Sequence, residues 1–208
     1  MVSAVITADI VNSTRLPEQS QRKLRATLHA VLQPFLFEFY RGDSFQVLVK
    51  DPRVALRLVL TLRTQARKIS IHYDVRCSIA IGEISPRIRK LSTAADPAFV
   101  LSGRNLEKIT NTEDRLIISS KDGIVNHGFN LIAYFSDYVI NDITEAQAEV
   151  LTLLLQGKTQ QEVSRKLRKS APTINKLARA AGWHEIARIL AEYDHFISIL
   201  LHGNPLSD

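Results

Sequence analysis

Phe35-Leu36-Phe37-Glu38-Phe39-Tyr40-Arg41-Gly42-Asp43-Ser44-Phe45-Gln46-Val47-Leu48-Val49 decides how the front of this chain folds. Phe35 to Tyr40 is aromatic-rich, Arg41-Gly42-Asp43 is turn chemistry, and Phe45 to Val49 alternates apolar with polar, so the stretch predicts two antiparallel strands joined by a tight turn. Helical patterns flank it. Upstream, Pro17 to Gln33 places Leu24, Leu28, Val31 and Leu32 on one face; downstream, Ala55, Leu58, Val59, Leu62 and Ala66 repeat that spacing after Pro52. Further out lie two more strands. Val2 to Ile10 is β-branched and nearly all apolar, as a strand buried on both faces requires, and Tyr73 to Ile84 alternates Val75, Cys77, Ile79 and Ile81 with Arg76, Ser78, Ala80 and Gly82.

The order β-α-β-β-α-β predicts an α+β fold of the ferredoxin-like, split βαβ kind, with the first and third strands as antiparallel neighbours mid-sheet. That register brings Asp9, near the end of the first strand, to Asp43, at the start of the third. Two carboxylates at one sheet edge repel, and a shared divalent cation relieves the repulsion. Asn12, Ser13 and Thr14 follow Asp9, and small polar residues at a strand-to-helix junction offer amides to phosphate oxygens. Alone, each aspartate also suits an ordinary turn. Beyond Pro97 the pattern predicts a helix over Phe99 to Ile109, a strand over Arg115 to Ser119, and a strand pair around Ile132 to Val139.

Strand signals stop at Ile140-Asn141-Asp142, dividing the chain into residues 1–140 and an all-α domain, 141–208. Thr144-Glu145-Ala146-Gln147 and Thr159-Gln160-Gln161-Glu162 are capping boxes, and Ser170 with Pro172 opens a third short helix. From His184 a longer helix carries Ile186, Ile189, Leu190, Tyr193, Phe196, Ile197 and Leu200 on a stripe that either packs within the chain or joins two copies. This is the layout of a helix-turn-helix. Between Lys158 and Arg179 there are seven basic residues and one acid, Glu162, whereas the net charge of the whole chain is only +6. In that layout Arg165, Lys166, Arg168 and Lys169 would meet DNA phosphates, while Thr173, Asn175, Lys176 and Arg179 would face base edges. Asp142 to Trp183 resembles the helix-turn-helix of bacterial response-regulator outputs and of sigma-factor region four.

Two larger resemblances attach to the front residues. Ala8-Asp9-Ile10-Val11-Asn12-Ser13-Thr14, Gly42-Asp43-Ser44-Phe45-Gln46 and the strand ending Ile81-Gly82-Glu83 resemble the palm of class III nucleotidyl cyclases. The same motifs, with Asp96-Pro97-Ala98-Phe99 and a terminal helix-turn-helix, are closer to the bacterial SatD family. The resemblance implies a magnesium or manganese ion on Asp9, Asp43 and the Ile10 carbonyl, and a polyphosphate steadied by Arg104. Position 100 is Val where the cyclase pattern has Asn.

Composition narrows the rest. Of 208 residues, 45% are hydrophobic and 23% charged, which is globular composition. No apolar run approaches the roughly 20 residues a membrane helix needs, and Met1 to Ile10 lacks the features of a secretory signal. A single cysteine permits no internal disulfide, and Cys77 reads as a small buried hydrophobe. The six histidines lack zinc spacing. A cytoplasmic location without membrane contact is the expectation. Two functions remain: a DNA-binding regulator, expected to be a homodimer because paired half-sites demand two copies, with a nucleotide- or metal-sensing palm; or a magnesium-dependent cyclase or oligonucleotide-forming nucleotidyltransferase.

Overall fold

The computed structural model describes residues 1–40, 42–86, 88 and 90–203. Arg41 of the hairpin turn and the last five residues of the expected 141–208 domain lie outside them. The chain forms an α+β structure built on a five-stranded mixed sheet with the order β2-β3-β1-β4-β5. The elements are β1 (Val2–Ile10), α1 (Glu18–Leu32), β2 (Leu36–Tyr40), β3 (Ser44–Val49), α2 (Ala55–Ile69), β4 (Val75–Glu83), α3 (Pro97–Ile109) and β5 (Leu116–Ser119). Then follow α4 (Gly123–Ile140), α5 (Glu145–Leu155), α6 (Gln160–Leu167), α7 (Ala171–Ala180) and α8 (Trp183–His202). Among the described residues, no helix is long and apolar enough to cross a membrane.

Strand β1 pairs antiparallel with β3 on one side and β4 on the other, while β4 pairs parallel with β5. Alternation along β1 sorts its side chains between two layers. Ala4, Ile6, Ala8 and Ile10 join Leu24 and Leu28 of α1 and Leu58 and Leu62 of α2 in the larger apolar cluster. Val5 joins Phe99 of α3 in a smaller cluster on the opposite face, where the Thr7 hydroxyl shares a 2.7 Å hydrogen bond with Ser102.

Residues 132–139 are helical, which corrects the expected strand pair. The α4 helix starts where the Asp122 carboxylate accepts from the Ile124 and Val125 amides, at 2.9 and 3.0 Å. It buries Val125, Phe129, Ile132, Ser136 and Ile140, which recur at helical intervals. Rich in β-branched and aromatic residues, this run has strand propensity, but packing along one helical stripe prevails over it.

The expected boundary at 140/141 falls in the turn between α4 and α5, and the larger apolar cluster runs across it, taking in Leu151 of α5 and Ile186, Tyr193 and Ile197 of α8. Polar ties reinforce that packing. Thr152 donates to Thr64 at 3.0 Å, Arg57 donates to the Leu155 carbonyl at 3.2 Å, and the buried Tyr193 hydroxyl donates to the Pro52 carbonyl at 2.9 Å.

Candidate functional site

Register places the two aspartates together. Asp9 lies opposite Ser44 across the β1–β3 ladder, and the Ile10 amide donates to the Asp43 carbonyl at 3.2 Å. Asp9 is also directly opposite Arg76 of β4, and residues facing each other across an antiparallel ladder project to the same side. The result is a two-pronged ion pair: Arg76 Nε meets Asp9 Oδ1 at 3.1 Å and Nη2 meets Oδ2 at 3.2 Å. Arg76 also donates to the Ile109 and Thr110 carbonyls, capping the end of α3. Burial pushes the Asp9 carboxyl above its ordinary range, the Asp43 charge adds to the rise, and Arg76 opposes both.

Asp43 has different company. Its Oδ2 accepts a short hydrogen bond from the Ser13 hydroxyl, and its Oδ1 accepts from Ser44 at 3.4 Å. It opens on a cleft of about 400 Å³ lined by Ile10, Ser13, Thr14, Arg22, Arg25 and Asp43, among others. The two arginines come from the outer side of α1, where Arg22 pairs with Glu18 and Arg25 lies 4.9 Å from the centre of the Phe39 ring. Sequence reading missed both, although their three-residue spacing on α1, just after the Ser13-Thr14 turn, was the available signal. Asn12 sits exposed in the left-handed region at φ 52°, a conformation Asn tolerates, and does not line the cleft. Arg104 is exposed on α3 and does not line it either.

The donor set bears on the implied cation. With both Asp9 oxygens on Arg76, a divalent ion does not fit across Asp9 and Asp43 as they stand, because a guanidinium already supplies the positive charge. Among the described residues, no three His, Cys, Asp or Glu side chains gather where they could hold a metal. What the cleft does offer is hydroxyls, the two carboxylates of Glu18 and Asp43, and two guanidinium groups, of which Arg22 is paired with Glu18.

The tail arranges its polar side chains otherwise. Thr144 and Thr159 each accept from the amide three residues on, while Gln147 and Glu162 reach back to the cap amides. Helix α6 stops at Arg168, which takes the left-handed conformation at φ 53°, and Ser170 caps α7 by accepting from the Thr173 amide at 3.4 Å. A small core of Val150, Leu153, Leu154, Val163, Ile174 and Ala178 holds α5, α6 and α7 together. Burying Ile174 and Ala178 turns the rest of α7 outward: Thr173, Asn175, Lys176 and Arg179 are all exposed. Arg165, Lys166, Arg168 and Lys169, on α6 and the turn after it, are exposed as well. None of these six cations in the two groups forms an ion pair among the described residues. Two of the polar side chains are engaged locally, Thr173 with Ser170 at 2.8 Å and Asn175 with Gln160 at 3.4 Å.

Comparison of the chain with protein-family models and with curated proteins found no match to either.

Proposed function

We propose that this chain is a DNA-binding regulator of the bacterial cytoplasm, in which a ferredoxin-like, cyclase-like palm (residues 1–140) senses a nucleotide or metal and a helix-turn-helix (141–208) reads duplex DNA as a dimer. The observation that carries this reading is the outward face of α7, where Thr173, Asn175, Lys176 and Arg179 are exposed beside the exposed Arg165, Lys166, Arg168 and Lys169. Cations without acidic partners are free to replace the counterions of a phosphate backbone, which gives affinity and salt dependence. Asn and the basic side chains on the helix have the hydrogen-bonding geometry for adenine and guanine edges. Support for the palm comes from the strand order β2-β3-β1-β4 and from the resemblance to class III cyclases and the SatD family.

Within the palm, the cleft at Ser13 and Thr14 suits the phosphates of a nucleotide, with Arg22 and Arg25 beside it. Arg104 belongs to this reading only if α3 or the ligand brings it to the cleft. Magnesium or manganese on Asp9, Asp43 and the Ile10 carbonyl requires Arg76 to let go of Asp9. The closeness of Asp9 and Asp43 favours a second reading, a magnesium-dependent nucleotidyl cyclase or oligonucleotide-forming nucleotidyltransferase.

Binding to labelled duplexes tests the first reading. Lys176→Ala and Arg179→Ala should weaken it, and equal affinity in wild type and both variants would remove α7 from the interface. Pyrophosphate release from ATP or GTP with Mg²⁺ or Mn²⁺ tests the second. Release that disappears in Asp9→Ala supports an enzyme, and a flat trace with every nucleotide removes it.

A further inference from the structure

Helix α4 carries two apolar stripes, and the fold uses one. Val125, Phe129, Ile132, Ser136 and Ile140 face the core. Ile124, Gly128, Leu131, Phe135 and Tyr138 recur at intervals of four, three, four and three residues, the spacing of a seam made for another helix. Apart from Gly128, which packs against Phe196 of α8, that seam is bare: Ile124 is 85% exposed, Leu131 61%, Phe135 50% and Tyr138 69%, with Tyr134 beside them at 64%. From Ile124 to Tyr138 it runs about 21 Å along the helix.

The seam borders a groove of about 610 Å³ between α4 and α8, floored by Phe196 and rimmed by Glu185, Arg188 and Glu192. Gly128 makes the floor possible. A Cβ there would lie 2.2 Å from the Phe196 ring, so any larger residue would force that ring to move.

We infer that this face is the interface through which two copies of the chain associate about a two-fold axis, α4 against α4. Area is the first argument. The three exposed rings leave on the order of 350 Å² uncovered, and with the two aliphatic residues and the groove the face approaches roughly 600 Å². Two copies would then bury about 1,200 Å², the lower limit of specific, stable interfaces. Charge is the second argument. A two-fold axis that sets Glu185 opposite Arg188 of a second copy also sets Arg188 opposite Glu185, so the mixed-sign rim is complementary to itself. The seam spacing is the third, since an antiparallel pair of identical helices crossing near Leu131 presents the same knobs and holes from both sides. The inference deepens the proposed regulator by locating the dimer that paired half-sites need, but the surface arguments do not use DNA.

Sedimentation of the 208-residue chain without DNA tests it. The expected mass is twice the 23.4 kDa of one chain, with Leu131→Glu and Tyr138→Glu each weakening association about tenfold or more while circular dichroism stays unchanged. Arg188→Glu should weaken it, and adding Glu185→Arg to that variant should restore it. A single-chain mass at all workable concentrations overturns the interface, as does a dimer indifferent to all of these substitutions. A monomer that still binds DNA defeats the interface and leaves the DNA reading intact, whereas a dimer with no affinity for DNA does the reverse.

Discussion

The buried arginines behind the sheet and the exposed cations of the tail are handled in opposite ways. Arg63, Arg67 and Arg76 are buried and matched, unlike Arg22, Arg25 and Arg104 on the outside of the same half. Arg63, fully buried in α2, donates to both oxygens of Asp74 at 3.0 Å, to Asp137 at 2.5 Å and to Asn141 at 2.8 Å, while Arg76 grips Asp9. In α6 and α7, by contrast, Arg165, Lys166, Arg168, Lys169, Lys176 and Arg179 face solvent without acidic partners among the described residues. A buried guanidinium surrounded by carboxylates is committed to structure, because losing it strands those charges. An exposed cation contributes little to the fold and stays available to a partner. The difference therefore separates residues that hold the molecule together from those offered outward.

Substitutions can break or sharpen this contrast. The largest effect belongs to Arg63→Ala, which leaves Asp137 without its cation and Asp74 with only the longer Arg67 contact at 3.4 Å; urea unfolding should show a loss of about 3–5 kcal/mol. A loss under about 1 kcal/mol would mean that the network relaxes or fills with water. Next come Lys176→Ala and Arg179→Ala. Each should cost about 1–3 kcal/mol of DNA affinity if it meets a base, or reduce the salt slope by about one if it meets a phosphate, with folding stability unchanged within about 0.5 kcal/mol. Thermal or urea unfolding of Thr144→Ala should then reveal the cap of α5 at about 1 kcal/mol, with no change at the sheet.

The smallest effect is a pH dependence in the tail. Backbone and side-chain hydrogen bonds from Thr159 hold the Glu162 carboxyl below its ordinary value of 4.5. A lowered folded-state value stabilises the fold above the unfolded value, and that stabilisation fades as pH falls through the folded one. Acid titration of the wild type should show this fading, and Glu162→Gln, which keeps a cap but cannot ionise, should flatten that part of the profile.

Patterns with a local cause were legible in the sequence. A nearly unbroken apolar run placed β1, alternation placed β3 and β4, and the Thr-x-x-Gln and Thr-x-x-Glu boxes placed the starts of α5 and α6 near where they occur. What escaped depended on partners distant in the chain. Residues 132–139 looked like strands because Tyr, Val and Ile favour that state, and only packing against the core and α8 selects helix. Arg76 read as the polar half of an alternating strand, yet its register opposite Asp9 decides whether that carboxylate is free. Arg63 sits within the apolar span of α2, and its acids come from the start of β4 and the end of α4. On the candidate site, the meeting of Asp9 with Asp43 followed from strand order, whereas the cleft arginines and the commitment of Asp9 to Arg76 required coordinates.

The most direct test of the central claim is the salt dependence of binding to duplex DNA, measured by fluorescence anisotropy between about 50 and 200 mM salt. Exposed, unpaired cations on α6 and α7 predict a logarithmic slope of about −4 or steeper, made shallower in Lys176→Ala. No measurable binding at the lowest salt, or a slope near zero, would contradict the assignment of α7 as the reading helix.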